Sequence, residues 1–176
     1  SKKNSVVFKY LLSKMKNSKN LIFYTLLFCL AVFLRTYNFT NRINIETDNS
    51  RDAIVAQYAR DHLKIPIIGQ ISSAGPFLYG PWWYWFLELI AFVPLGNLTF
   101  WYAGVALSII FLIVLHLTAL EIGSETFAKI VLLLAVVSPA LVGISLSIWN
   151  PSIIPLLVLL AIYNLVKWSK TKDTKH

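Results

Sequence analysis

The chain has 176 residues, of which 57% are hydrophobic and only 14% are charged. An ordinary soluble domain is about 45–50% apolar and about 25% charged, so a soluble fold of this size could not bury so much apolar surface. The net charge of +8 does not indicate nucleic-acid binding, because most basic residues flank apolar runs and form no stripe interleaved with aromatic residues.

Two lysine clusters stand at the ends of the chain. They are Lys2, Lys3, Lys9, Lys14, Lys16 and Lys19 before the first apolar run, and Lys167, Lys170, Lys172 and Lys175 after the last. Lysines beside apolar spans mark the cytoplasmic side of a membrane protein. We therefore expect a cytoplasmic basic arm over residues 1–20 and a cytoplasmic basic tail over residues 167–176.

The apolar runs predict four membrane-spanning helices, over residues 21–34, 99–120, 130–149 and 152–166. A span needs about 20 apolar residues, so the first run is short, and we expect Arg35 to lengthen it by reaching to the interface. Ser138-Pro139 predicts a kink in the third helix. Four crossings place both lysine-rich ends on one side, as the charge pattern requires.

Residues 36–98 form the predicted outer loop, and its first half predicts a juxtamembrane helix over residues 48–63. Thr47 or Asp48 is expected to cap this helix. Ile54, Val55, Tyr58, Ala59, His62 and Leu63 recur at helical spacing and form an apolar face. Such a helix is expected to lie along the membrane surface.

The second half of the loop contains an ambiguous segment, residues 77–95. It is long and apolar enough to span a membrane, but it carries Pro81, Glu88 and Pro94, and its aromatic residues crowd one end. Trp and Tyr prefer the interface, and a mid-membrane charge costs about 2.5–3.5 kcal/mol. We predict an interfacial helix, because a fifth crossing would put one lysine-rich end outside. The predicted fold is thus an all-α integral membrane protein with about four transmembrane helices and two juxtamembrane helices in the first outer loop.

The best chemical candidate is the acidic segment that opens the first juxtamembrane helix. Asp48 and Asp52 stand one helical turn apart around Arg51. A carboxylate at a water–membrane boundary can act as a general base toward a hydroxyl or an amine. The alternative interpretation is a capped, salt-bridged surface helix without chemistry.

Two further segments are candidates for substrate or lipid binding. The first is the aromatic segment with Tyr79, Gly80, Pro81, Trp82 and Trp83, which could stack on sugar rings or pack against lipid tails. An interfacial aromatic belt is its alternative interpretation. The second is Trp149-Asn150 between two predicted spans, where Asn-Pro is also typical of a simple turn.

Metal and cofactor chemistry is not indicated by the sequence. His62, His116, His176 and Cys29 are scattered and make no zinc-binding spacing. The sequence has no phosphate-cradling glycine loop, and no Ser/His/Asp set is evident. We expect no cofactor; a divalent metal is possible but not indicated.

The order of the three candidate segments resembles the N-terminal part of the GT-C glycosyltransferases, such as the protein O-mannosyltransferases and the aminoarabinose transferases of lipid A. There a first span leads to an outer loop with an acidic motif and a Pro- and aromatic-rich juxtamembrane helix, followed by two spans and a second outer motif. The similar segments here are 48–53, 80–85 and 149–152, and the resemblance covers roughly residues 21–166.

The resemblance implies a multi-pass membrane enzyme of the cell envelope, in a bacterial or archaeal plasma membrane. It implies inverting transfer of a sugar, as in mannosyltransferases, from a polyprenyl-phosphate donor to a lipid, glycan or protein acceptor outside the cytoplasm. Asp48 would activate the acceptor, and Arg51 is the nearest cation for the leaving phosphate. Residues 1–176 would then be a single membrane domain, the N-terminal module of a longer enzyme.

Three positions depart from the family pattern. Many relatives have Glu where this chain has Asn49, several have a phosphate-binding Lys at the place of Gly80, and several have an acidic residue at the place of Asn150. The missing Lys at Gly80 and the missing carboxylate at Asn150 favour the alternative function, a non-catalytic module that binds a polyprenyl lipid or serves as a scaffold for a partner enzyme.

Overall fold

The computed structural model of the chain describes residues 18–72, 75–148 and 150–173. Most of the basic arm, Trp149 and the end of the basic tail lie outside the described residues. The α-helices in these ranges are α1 (Ser18–Thr36), α2 (Phe39–Arg42), α3 (Thr47–His62), α4 (Trp82–Ala91), α5 (Thr99–Ile122), α6 (Glu125–Val137), α7 (Pro139–Ser145) and α8 (Ile154–Asp173). Short 3-10 helices at Gly96–Leu98 and Asn150–Ile153 lead into α5 and α8.

The regular structure of the described residues is helical, apart from one isolated antiparallel bridge between Ile71 and Leu78. Two helical segments, Gly96–Ile122 and Asn150–Thr171, are long and apolar enough to cross a membrane. Taken as one bent span, α6 and α7 make a third, whereas Asn20–Thr36 of α1 is a shorter apolar helix. The all-helical prediction is confirmed, and two to three of the predicted spans have the required length; four crossings stay a prediction.

The predicted kink is a full break between α6 and α7. The two helices meet at an angle of 60°. Pro139 has no N–H to continue the helix, and the residue before a proline is driven into extended backbone, as observed for Ser138. The Ser138 hydroxyl accepts a hydrogen bond from the Leu141 N–H at 3.4 Å and so caps the start of α7.

Both described ends of the chain lie at the same end of the helix bundle. The Asn20 amide at the start of α1 donates to Glu125 at the start of α6 over 3.0 Å. At the end of α8, the Lys170 ammonium forms an ion pair of 3.4 Å with Glu121 near the end of α5. The start of α1 therefore lies beside the start of α6, and the end of α8 beside the end of α5.

Arg35 does not reach to the interface as the sequence suggested; it is completely buried in the bundle. Its Nε donates to the Ser108 hydroxyl over 2.8 Å, and its Nη1 donates to the Val136 carbonyl over 3.3 Å. Val136 is one of the last four residues of α6, whose carbonyls lack partners within the helix. A helix C-terminus carries roughly half a negative charge, so the end of α6 stabilises the Arg35 guanidinium. Within the described residues, the buried Nη2 of Arg35 has no hydrogen-bond partner.

Helices α3 and α4 pack against each other and against the start of α5. Their shared core contains Ala53 and Ala56 of α3 and Trp83 and Leu87 of α4. The expected capping by Thr47 or Asp48 is wrong, because α3 begins at Thr47 and its N-cap residue is Glu46. Instead of one helix over residues 77–95, only Trp82–Ala91 is α-helical, which is too short to span a membrane.

Helix α3 therefore has two apolar faces with different surroundings. The small side chains of Ala53, Ala56 and Ala59 are buried in the protein. The single apolar face predicted from the sequence is divided: Ile54, Tyr58, His62 and Leu63 are exposed, Val55 is half-buried and Ala59 is buried. Small residues on the inner face allow α3 to lie close to the aromatic residues of α4.

Candidate functional site

The predicted acidic segment forms a connected ion cluster at the start of α3. The guanidinium of Arg51 donates from Nη1 to Asp48 Oδ1 over 2.9 Å. It also donates from Nε and Nη2 to Asp52 Oδ1, over 3.1 and 2.9 Å. One cation thus lies between two carboxylates, and the cluster keeps a net negative charge when both are ionised.

The two carboxylates differ sharply in their exposure to solvent. The side chain of Asp48 is 60% exposed, that of Arg51 is 40% exposed, and that of Asp52 is completely buried. An acceptor molecule can therefore approach Asp48 directly. Asp52 is shielded from solvent by the surrounding protein.

Asp52 is held by donors from three separate segments. Its Oδ1 accepts from Arg51, and its Oδ2 accepts from Trp83 Nε1 over 2.9 Å and from the Gln70 amide. Burial raises the pKa of the Asp52 carboxyl, although the hydrogen bonds from Arg51 and Trp83 act in the opposite direction. Burial also raises the pKa of the neighbouring Tyr84 hydroxyl, and the Asp52 charge adds to this shift. The carboxylate therefore ties α3, the loop and α4 together.

The chain just before the candidate segment 149–152 contacts the start of α3. The Asn49 amide, one residue after Asp48, is buried and donates to the Asn44 carbonyl and to the Ser147 hydroxyl, over 2.9 and 3.2 Å. The backbone N–H of Asn44 donates to the Leu146 carbonyl over 3.0 Å. Ser147 and Leu146 thus bring the end of α7 to the start of α3. Asn150 opens a 3-10 helix and is half-buried, and Trp149 lies outside the described residues.

The aromatic segment splits into buried and exposed members. Trp83 is buried and bonds Asp52, so its observed role is to hold the cluster rather than to face a lipid. Tyr79 and Trp82 are exposed, as is Gly80, while Pro81 is half-buried. These four remain available for a sugar or a lipid.

Sequence reasoning missed the buried partners of the carboxylates. Gln70, Tyr84 and the structural role of Asn49 carry no spacing signal, because each meets Asp52 or its neighbours only through tertiary folding. Asn49 was noted as a departure from the family pattern. The structure shows why Asn suits this position: its amide donates to two acceptors, which a Glu carboxylate could not do.

We also searched the described residues for groups of metal ligands and for cavities near the carboxylate cluster. No group of three or more His, Cys, Asp or Glu side chains that could hold a metal occurs among the described residues. A cavity of about 340 Å³ lies between α1, α5 and α6, lined by Leu27, Ile113 and Leu132 among others, on a different part of the bundle. A smaller cavity of about 30 Å³ beside Ser147 and Ser152 is large enough for water but not for a sugar.

Compared with protein-family models, curated proteins and solved structures, the chain matches none of them. The resemblance to GT-C enzymes therefore stays a prediction from motif order.

Proposed function

We propose that the chain is a membrane glycosyltransferase of the GT-C type, or the N-terminal module of one. It transfers a sugar from a polyprenyl-phosphate donor to a lipid, glycan or protein acceptor on the extracytoplasmic face, with inversion at the sugar carbon. The observation that carries this proposal is the exposed Asp48, which is held by a partly exposed Arg51 that the buried Asp52 fixes in turn, at one end of an apolar helix bundle.

The topology that we propose has four crossings and both lysine-rich ends in the cytoplasm. It is supported by the position of α1 and α8, whose described ends lie at the same end of the bundle. At the opposite end lie α3, α4 and the loop after α7, where Asp48, Asn49 and Ser147 come together. The carboxylate cluster would then face the outer compartment of a bacterial or archaeal plasma membrane.

The mechanism that we propose is a direct displacement. The acceptor hydroxyl or amine attacks the anomeric carbon, its proton passes to the Asp48 carboxylate, and the bond between that carbon and the phosphate oxygen breaks. Polyprenyl phosphate leaves with the bonding electrons. A positioned general base of this kind contributes about 10²–10⁴-fold to the rate.

Arg51 and Asp52 have supporting roles in this mechanism. Because two carboxylates already share the Arg51 guanidinium, we assign it to the orientation of Asp48 rather than to binding of the leaving phosphate. Asp52 is buried, so we assign it to holding Arg51 and not to contact with the acceptor. Tyr79, Trp82 and Asn150 are proposed to contact the lipid-linked donor, with membrane lipids around them.

The test is a pair of matched substitutions on α3. Asp48→Asn removes the base, whereas Asp61→Asn removes a similarly exposed carboxylate that pairs with Arg60 at 2.7 Å. With a polyprenyl-phosphate sugar in vesicles, we expect Asp48→Asn to lower the transfer rate by about 10²–10⁴-fold and Asp61→Asn to leave it nearly unchanged. Equal rates in the two variants would refute the assignment of Asp48.

The alternative is a lipid-binding or scaffolding module without catalysis. The uncharged Gly80 and Asn150 favour it, since family members place charged residues at these positions. Under this alternative the purified chain binds the polyprenyl-phosphate sugar. Neither the unsubstituted chain nor its Asp48→Asn variant then transfers the sugar, and a longer form of the chain does not transfer it either.

A further inference from the structure

The loop between α3 and α4 folds back on itself as a short hairpin, which we call the apolar hairpin (residues 69–72 and 75–80). Its two sides are joined by hydrogen bonds from Gly69 N to Tyr79 O over 3.0 Å, from Tyr79 N to Gln70 O over 2.9 Å, and from Ser72 N to Phe77 O over 2.9 Å. A Cβ atom on Gly69 would collide with the backbone carbonyls of Tyr79 and Gly80. The base of the hairpin therefore closes only because residue 69 is glycine.

The surface of this hairpin and of the chain leading into it is unusually apolar for an outer loop. From Ile65 to Leu87 the sequence has no charged side chain. The exposed large side chains of this stretch are Ile65, Ile67, Ile68, Ile71, Phe77, Leu78, Tyr79, Trp82 and Trp85. Ile67 is 84% exposed and Ile71 is 74% exposed. Contiguous exposed surface of this kind marks a site that another apolar phase covers.

The observations favour lipid as the apolar phase that contacts this surface. The apolar surface continues along the chain through the exposed Phe92, Val93 and Leu95, and the membrane-length segment Gly96–Ile122 begins directly afterwards. Tyr79 pairs with Gly69 and Gln70, between Ile68 and Ile71 in the sequence, and Trp85 bonds Pro66, which Ile65 and Ile67 flank. Exposed Tyr and Trp beside apolar side chains are typical of a membrane–water interface. Lys64 and Glu88, the nearest charges along the chain, stand on either side of this stretch.

The hairpin is also fixed to the carboxylate cluster. Gln70 at its base bonds Asp52, and Trp85 Nε1 of α4 donates to the Pro66 carbonyl over 2.7 Å. The hairpin, α4 and the start of α3 therefore form one connected unit, with the isoleucines on its surface and Asp52 inside.

We propose that the apolar hairpin, together with the exposed side of α4, is a docking surface that inserts into the leaflet on the side of the carboxylate cluster. It lies at headgroup depth and does not cross the membrane. This inference rests on the membrane location of the chain and not on sugar transfer. It places the start of α3, with Asp48, on the aqueous side of the headgroup layer.

The test is fluorescence quenching in phosphatidylcholine vesicles, with the full chain carrying Cys29→Ser so that single labels can be placed. An environment-sensitive dye is attached in the variants Ile67→Cys and Ile71→Cys, with Thr47→Cys as the control on the exposed, polar start of α3. We expect the first two labels to be quenched several-fold more by a nitroxide near the lipid headgroup than by one near the chain end, and to be shielded from aqueous iodide. The control label should show strong iodide quenching and little nitroxide quenching.

Three outcomes would overturn the proposal. Strong iodide quenching of the labels at residues 67 and 71 would show that the hairpin lies in water. Shielding from both quenchers would show that a second copy or another protein segment covers it. Stronger quenching by the chain-end nitroxide would indicate a deep insertion or a crossing.

A second variant tests the surface without relying on cysteines at the two isoleucines. With a label at Leu78→Cys, adding Ile67→Glu and Ile71→Glu should reduce the nitroxide quenching several-fold, because charge is expelled from the leaflet. Adding Thr47→Glu instead should leave it unchanged. Unchanged quenching after both isoleucine substitutions would also overturn the proposal. None of these readouts requires transfer activity, so a failed transferase assay would leave the result interpretable.

Discussion

The hydrogen bond from Trp83 to Asp52 offers the sharpest test of how the cluster is built. Trp83→Phe removes a donor that reaches a buried carboxylate at 2.9 Å. A hydrogen bond to a charged group contributes about 1.5–3 kcal/mol, so the melting temperature of a chain of this size should fall by roughly 3–12 °C near neutral pH. Trp82→Phe is the matched control, because Trp82 is adjacent, exposed and not bonded to Asp52.

The pH dependence of this loss follows from the raised pKa of Asp52. Burial raises the pKa of Asp52 in the folded protein above its ordinary value in the unfolded chain. At a pH between these two pKa values, the folded protein holds a proton that the unfolded chain has lost. The free energy of unfolding therefore falls as the pH rises through this window. Removing Trp83, which stabilises the charged form, raises the pKa further. The difference between Trp83→Phe and the unsubstituted protein should therefore be larger at neutral pH than below the ordinary pKa of Asp.

The assay is thermal unfolding of the purified protein in detergent at both pH values. Phe is smaller than Trp, so part of the loss comes from packing, and a double-mutant cycle with Asp52→Asn separates the two contributions. In the Asp52→Asn background, Trp83→Phe should cost distinctly less. An equal cost in both backgrounds, or an equal loss for Trp82→Phe and Trp83→Phe, would refute the role of the hydrogen bond.

Further predictions concern other parts of the fold. Gly69→Ala should lower the melting temperature, because the added Cβ would collide with the carbonyls of Tyr79 and Gly80. Gly143→Ala is the control and should leave the melting temperature unchanged, because the space around its Cβ is open. Equal melting temperatures for the two variants would contradict the close approach at Gly69. Arg35→Met leaves the Val136 carbonyl and the Ser108 hydroxyl without their donor, and we expect a loss of about 1–3 kcal/mol, measured by the same thermal assay. Arg42→Met, which affects a half-buried side chain, should cost less, and the reverse order would argue against stabilisation of Arg35 by the end of α6.

Helical segments and their breaks were predictable from the sequence where local rules dominate. The helix predicted over residues 48–63 is observed at Thr47–His62, and Ser138-Pro139 ends α6 as the missing N–H requires. The length of the segment 77–95 was not predictable from its composition. Its first residues pair with Gly69 and Gln70 in the hairpin instead of extending α4.

The burial of individual polar residues depends on tertiary packing and escapes a sequence argument. Spacing gave Asp48 and Asp52 equal standing, one turn apart on α3. The position of Arg35 at the end of an apolar run predicts that its side chain reaches to the interface, since such an Arg usually extends toward water. The structure buries Arg35 against the last turn of α6, a position that only the packing of α6 beside α1 creates.

The difference in solvent exposure between Asp48 and Asp52 follows from which part of α3 is covered by α4. Trp83 at the start of α4 lies against the second of the two carboxylates, so Asp52 loses its water and gains fixed donors, while Asp48 keeps its exposure. Arg51 spans both environments and can transmit the rigidity of the buried site to the exposed one. Since Gln70 bonds Asp52 from the apolar hairpin, the orientation of Asp48 should depend on the segment that we propose to contact lipid. A lipid-dependent rate in the unsubstituted protein, lost in a Gln70→Ala variant that retains its membrane docking, would be the expected signature of that connection.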